Sequence, residues 1–364
     1  MDKKINKLLG FGCMRLPMNG TNVDLVEFQK MVDTYMSNGF NYFDTARVYI
    51  GGLSEKAIKE CVSKKYDRES FILTDKLTGS CFEKEEDIFQ FFESQLESCG
   101  VEYFDYYLMH AQNRNNYKKF MACHAYEKAV ELKKIGKIRH IGISFHDTAD
   151  ILEQILIEHP EIEVVQIQFN YLDYYSPNVQ SKLLYDLLRK YNKYILVMEP
   201  VKGGTLANIP DSVKPLFEPL KSSNSYASYA IRFVASHEGI IQILSGMSNL
   251  SQMEDNISYM KDFVPLTIDE LGQINKIRQS LYELNGVPCT SCRYCVDGCP
   301  QKIIIPELFS LYNESILNKV NNKDQYFKHS SLASRCIKCG KCEKICPQHL
   351  NIRDLLVKIK DIYE

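Results

Sequence analysis

Eight of the chain's thirteen cysteines fall between Cys289 and Cys346, and they repeat one spacing twice. Cys289, Cys292, Cys295 and Cys299 run into Pro300; Cys336, Cys339, Cys342 and Cys346 run into Pro347. The two-residue gaps let three thiolates face one iron–sulfide cube, while the fourth, after a longer gap and ahead of a proline, swings to the other. The spacing therefore predicts two [4Fe-4S] clusters. Cys289, Cys292, Cys295 and Cys346 would hold the first, and Cys336, Cys339, Cys342 and Cys299 the second. A pair of structural zinc sites is the alternative, since isolated C-x2-C pairs bind zinc. The third cysteine, the proline and the duplication argue against it. The other cysteines, Cys13, Cys61, Cys81, Cys99 and Cys123, are scattered, unlike a secreted disulfide scaffold.

A second reactive set lies far upstream. Asp44, Lys76 and His110 each end a short apolar run, and Tyr49 follows Asp44 by five residues. A phenol with a pKa of about 10 gives up its proton poorly near neutrality. An ammonium beside it, itself held by an aspartate, stabilises the phenolate, and a histidine can orient a carbonyl oxygen next to it. Together the four suit hydride reduction of an aldehyde or ketone. Singly each has a plain structural reading: a loop support, a solvated strand end, a satisfied interior histidine.

Such a set needs elements that bring it to one place. Up to about residue 262, short apolar runs alternate with longer amphipathic stretches, the pattern of strands followed by crossover helices. The expected strands are Leu8–Cys13, Phe40–Asp44, Ser70–Asp75, Phe104–Met109, Ile138–Ser144, Val164–Phe169, Tyr194–Met198 and Ile240–Leu244. Helices are expected over Leu25–Asn38, stopped by Gly39, and Glu85–Cys99, stopped by Gly100. Such alternation predicts an α/β chain closed as a (β/α)8 barrel, with reactive groups on the rim where strands end. An open doubly wound sheet is the alternative, but no G-x-G-x-x-G follows the first strand.

Three segments follow from this pattern: a barrel over 1–262, a helical linker over 263–286 and a helical dicluster ferredoxin-like domain over 287–364. In the last, Pro306–Asn318 carries Leu308, Leu311, Tyr312 and Ile316 at helical spacing. Four prolines between Pro200 and Pro219 mark a long loop able to close over a ligand. With 364 residues, 45% apolar and a net charge of -2, the chain can bury a core and has no global attraction for nucleic acid or anionic membrane. No apolar stretch approaches the roughly 20 residues of a membrane span. The expectation is a soluble, cytoplasmic protein.

The runs Asn41–Ala46 with Tyr49, Thr74-Asp75-Lys76, Tyr106–His110 and Gly136–Ser144 resemble the aldo/keto reductase family, in its branch carrying a C-terminal ferredoxin-type domain. The resemblance spans nearly the whole chain. It implies a TIM barrel and NAD(P)H-dependent reduction of a small carbonyl compound, or oxidation of the alcohol, with Tyr49 as general acid. Ser144 and Gln166 match the residues that hold the nicotinamide amide. Met198 stands where an aromatic usually stacks on the ring, and Phe145 where many members have asparagine. Ser245 and Gly246, with Gln252 and Asn256, match the adenosine-phosphate end. Gln252 and Gly246 replace the Arg and Lys common in 2'-phosphate binders, which leaves NADPH and NADH both open. Gly203 and Gly204 are placed to approach the pyrophosphate or to serve as plain turn residues.

Nicotinamide moves a hydride, whereas clusters move single electrons. A flavin could split the pair, but no residue pattern identifies one. Two other readings remain: an electron-transfer or regulatory iron–sulfur protein with a silent barrel, and a reductase driven by a redox protein such as ferredoxin.

Overall fold

The computed structural model describes residues 5–220 and 224–364. The chain forms two compact units: residues up to Pro200 with Ala227–Leu266, and Val201–Tyr226 with Thr267–Glu364. Among the described residues of the first unit, eight parallel strands close into a barrel. They are β1 (Leu9–Gly12), β2 (Tyr42–Asp44), β3 (Ile72–Leu77), β4 (Phe104–Gln112), β5 (Ile138–Phe145), β6 (Val164–Gln168), β7 (Tyr194–Met198) and β8 (Ile240–Ser245). Each strand pairs with the next in sequence, and β8 returns to β1. This is the (β/α)8 barrel that the alternation of apolar runs implies.

The strand period of two explains why the polar set converges. Tyr42, Ile72, Tyr106, Leu108, Val164, Leu196 and Leu244 pack into one buried cluster. Side chains two residues apart on a strand share a face, so Asp44, Lys76, His110, Gln166 and Met198 lie on that face, two or four residues nearer the strands' C-terminal ends. The apolar layer is the floor on which the polar one stands. Fully burying each of its larger side chains stabilises the barrel by roughly 1.5–3 kcal/mol.

The crossover helices follow their local signals. Asp24 caps the helix Leu25–Ser37, its Oδ1 accepting from Val26 N at 3.1 Å and Glu27 N at 3.0 Å. A cap of this kind is worth about 1 kcal/mol. The helix Glu85–Cys99 ends at Gly100, whose φ of +66° is the left-handed C-terminal stop. A two-residue hairpin, Met18–Asn19 with Asn22–Val23, precedes the first helix. It is too short to leave a periodicity in the sequence.

β4 runs past its apolar segment through a bulge: its register with β5 shifts between Met109 and Gln112, and Ala111 has a φ of +53°. An extra residue there re-aims the side chain beside it, and that side chain is His110.

In the second unit the helices Ile268–Glu283, Ile305–Asn318 and Ile352–Tyr363 accompany several short ones. Ile303, Leu308, Phe309, Tyr326, Leu356 and Ile359 are in its core, and the Tyr326 and Tyr363 rings stack 4.5 Å apart. The loop after Pro200 groups with these residues rather than with the barrel. Gln273 Nε2 donates to Leu216 O at 2.6 Å, and a Cβ on Gly203 would lie 2.3 Å from Thr290 O. Only glycine allows that approach, since Gly203 also has a φ of +63°. Among the described residues no helix is long and apolar enough to cross a membrane.

Candidate active site and cluster sites

Lys76 is fully buried, and its Nζ donates to Asp44 Oδ1 at 2.6 Å and to Thr45 O at 2.8 Å. Asp44 Oδ2 accepts from Gln166 Nε2 at 3.1 Å. The carboxylate is thus tied to β3 on one side and β6 on the other. Burial raises the Asp44 carboxyl above its ordinary range, against the pull of Lys76.

Tyr49 is buried beside this pair, its ring centre 4.8 Å from Lys76 Nζ. Three residues with positive φ follow it, Ile50 (+52°), Gly51 (+61°) and Gly52 (+86°), so the chain turns tightly just after Tyr49. The acidic phenol expected from the lysine is not what the resting site holds. Burial, and then the nearby Asp44, Asp75, Cys13 and Glu199, push Tyr49 well above 10. Lys76 already spends its charge on Asp44, so burial wins.

His110 stands on the other side, its ring 6.1 Å from that of Tyr49 and steeply inclined at 79°. Its Nδ1 is 2.8 Å from Thr78 Oγ1. Burial, then the charge of Lys76 and the neighbouring His146, push the imidazole well below 6.5, so the ring is neutral near pH 7. The structure therefore brings Asp44, Tyr49, Lys76 and His110 to one rim, with Thr78 as an unforeseen fifth member. Thr78 lies two residues beyond Lys76, so the strand period could have flagged it.

Of the residues matched to the cofactor, Ser144 and Gln166 face each other in register across β5 and β6. Ser144 Oγ accepts from Ala111 N at 2.8 Å, which ties it to the bulge. Met198, partly buried, ends β7 opposite Gln168. It is followed by Glu199 in the left-handed region with φ +56°, whose carboxylate accepts from Gln168 Nε2 at 3.0 Å.

At the other group, Ser245 Oγ accepts from Asn256 Nδ2 at 2.7 Å. Gln252 Oε1 accepts from Ser248 N at 2.8 Å at the start of the helix Leu250–Met260. A Cβ on Gly246 would meet Arg15 Cδ at 3.1 Å, so a cation the sequence reading passed over lies against this loop. Gly203 and Gly204 are in the second unit, where the close approach that Gly203 makes is to Thr290.

In the second unit the cysteines sort into two quartets. One cavity is ringed by Cys289, Cys292, Cys295 and Cys346, and another by Cys299, Cys336, Cys339 and Cys342. The fourth cysteine of each run has crossed to the other cavity. Burial, and then Cys292, Cys289 and Cys346, push the Cys295 thiol up; burial and Glu343 push Cys342 to about 11. Such thiols become thiolates when positive iron replaces the proton, as a cluster site requires. Four cysteines around each cavity are the donor set that a [4Fe-4S] cluster takes, so the residues present fit two such clusters.

Lys202, 1% exposed, donates to Gln348 Oε1 at 3.0 Å. Gln348 and Thr290 both line the first cavity, so the loop after Pro200 packs behind two residues of that lining.

Fold and rim chemistry together define a barrel oxidoreductase joined to an iron–sulfur unit. Residues 8–279 match the model of the aldo/keto reductase family, and residues 288–351 that of the 4Fe-4S dicluster domain. The chain belongs to the aldo/keto reductase family. It is 27% identical over 273 residues to 9,11-endoperoxide prostaglandin H2 reductase of Trypanosoma cruzi (strain CL Brener), covering 73% of this chain and 89% of the relative. Glyoxal reductase of Bacillus subtilis (strain 168) is 25% identical over 258 residues, covering 69% of this chain and 84% of the relative. A holo-form aldo-keto reductase from Bacillus halodurans superposes with a TM-score of 0.62 at 25% identity, over 75% of this chain and 92% of its own.

Proposed function

We propose that the barrel reduces a small aldehyde or ketone, or oxidises the corresponding alcohol, with NADPH or NADH, and that the two [4Fe-4S] clusters carry electrons one at a time. The observation that carries this reading is the sealed Lys76 ammonium, 2.6 Å from Asp44 and 4.8 Å from the Tyr49 ring centre. When bound, nicotinamide supplies a hydride and the clusters supply single-electron steps.

The chain's own groups handle the carbonyl oxygen. Thr78 Oγ1 lies 2.8 Å from His110 Nδ1; with the threonine as donor, the neutral ring carries its proton on Nε2 and offers it to that oxygen. Tyr49 is the second donor. A phenol held protonated at neutral pH is loaded for transfer, and Lys76 stabilises the phenolate once the proton has moved. Asp44 keeps the ammonium in place.

Gln166 has its Nε2 on Asp44, which leaves Oε1 to accept from a carboxamide NH2. Ser144 accepts from Ala111 N and so turns its hydroxyl proton toward the carboxamide oxygen. Met198, at the end of its strand, would be the residue to pack a thioether against the nicotinamide. Ser245, Gly246, Gln252 and Asn256, with the Arg15 cation, receive the phosphate end, where the amides of the helix Leu250–Met260 begin. A reducing, cytoplasmic setting is part of this reading, because cysteines must stay reduced to hold the clusters. The relative named for glyoxal supports a small carbonyl substrate.

The test is anaerobic assay of the iron-loaded chain and its Tyr49→Phe variant with NADPH and NADH over a carbonyl panel. Equal rates in the two proteins would refute the assignment.

A further inference from the structure

The two cysteine quartets have different surroundings. The first includes the buried Cys295 and is bordered by buried Thr290 and Gln348; its rim cation, Arg293, is bonded to Glu307. The second includes Cys339, which is exposed. Ile337 and Lys341 line the same cavity and reach the surface, Ile337 at 60% exposure, and Ile345 nearby in sequence is 53% exposed. Between Arg335 and Ile345 the exposed charges are Arg335, Lys338, Lys341 and Lys344. The one acid in that stretch, Glu343, is bonded to Arg353, with Nε to Oε2 at 2.8 Å. A ligand thiol at the surface thus lies among basic side chains and bare isoleucines.

We propose that the face around Cys339 is the docking surface for an acidic one-electron carrier protein, and that electrons enter the chain there. The isoleucines offer the small dry contact that a transient redox complex needs, and the cations complement an acidic partner and steer its approach. Nucleic acid would also meet the cations, but it has no use for a thiolate ligand at their centre. In the transfer step one electron leaves the reduced carrier and enters the second cluster, taking it from the 2+ to the 1+ level. The carrier departs oxidised by one electron, and no bond or proton changes place. The proposal rests on reading the quartets as [4Fe-4S] sites and is independent of the carbonyl chemistry of the barrel.

The experiment mixes the iron-loaded full chain anaerobically with reduced plant-type [2Fe-2S] ferredoxin, an acidic carrier, and follows both proteins by freeze-quench EPR. The second-order rate is expected to fall steeply with ionic strength. Lys338→Glu with Lys341→Glu should lower it at least about tenfold at low salt and flatten the salt dependence. Iron content should hold, and reduced methyl viologen, a small cation, should reduce the variant no more slowly than wild type. Should the glutamates cost iron, the Lys338→Gln and Lys341→Gln pair gives the same comparison with a smaller drop. An unchanged ferredoxin rate, or an equal loss with methyl viologen, overturns the proposal. So does RNA binding through these lysines with the ferredoxin rate intact. Failure of the carbonyl reading is separable: Tyr49→Phe would still accept electrons at the wild-type rate.

Discussion

Lys76 Nζ lies 2.6 Å from Asp44 Oδ1 and 4.8 Å from the centre of the Tyr49 ring, so one buried ammonium closes a structural pair and faces the phenol proposed to react. The two duties separate by mutation. Tyr49→Phe keeps the ring and the pair, so melting should be unchanged while kcat falls by about 10²–10⁴. Lys76→Met leaves a carboxylate buried without its partner and should cost about 3–5 kcal/mol of stability as well. Thermal melts beside single-turnover rates read both effects.

His110 predicts an acid limb. The folded ring is held well below 6.5 by burial, Lys76 and His146, whereas the unfolded chain takes up a proton near 6.5. Stability is therefore fully present above about pH 6.5 and declines as pH falls toward the folded value. His110→Gln removes that proton uptake. Its Tm should fall less than that of wild type between about pH 7 and pH 5.

Arg15 predicts a cofactor effect that leaves the chemistry alone. Its side chain lies against Gly246, 3.1 Å from where a Cβ would stand. Arg15→Ala should raise the KM for the dinucleotide about tenfold with kcat within about twofold, the signature of lost uniform binding. Steady-state kinetics with both dinucleotides also show which of them this guanidinium favours.

The quartets predict iron counts. Cys292→Ala and Cys346→Ala touch the same cavity although they come from different runs, so each should lose about half of roughly eight irons, and the double variant should lose no more. Cys292→Ala with Cys339→Ala should lose nearly all, since the second residue belongs to the other cavity. Iron analysis with EPR decides between this crossing and two self-contained sites.

Gly203→Ala tests the loop packed behind Thr290 in the lining of the first cluster site. The new Cβ would stand 2.3 Å from Thr290 O in a backbone at φ +63°, so strain of roughly 1–3 kcal/mol should appear. A lower Tm and faster iron loss to a chelator are the expected outcomes.

Much of the barrel was legible because its strands carry their own pattern. Tyr194–Met198 has the bounds its apolar run suggests, and the interior polar layer follows from a period of two. What stayed hidden depends on long-range contact. The bulge at Ala111 has no local marker, since alanine is no usual choice for a positive φ. The glycines after Lys202 suit either an approach to pyrophosphate or a plain turn, and the close neighbour of Gly203, Thr290, is far along the chain. Arg15 was invisible for the same reason: nothing in the run Cys13-Met14-Arg15 announces Gly246 as its neighbour. Pairing Tyr49 with lysine suggests an acidic phenol because it considers charge and omits burial, which is the larger effect here.

The contrast between exposed Cys339 and buried Cys295 gives the iron–sulfur unit a weak end. Oxygen reaches an inorganic cube fastest where its sulfur ligands meet water. A preparation handled in air should therefore weather from the Cys339 side and settle for a time at half load, with the sheltered cube surviving. Such a sample would pass for a one-cluster protein, and it would have lost the very port by which it is charged.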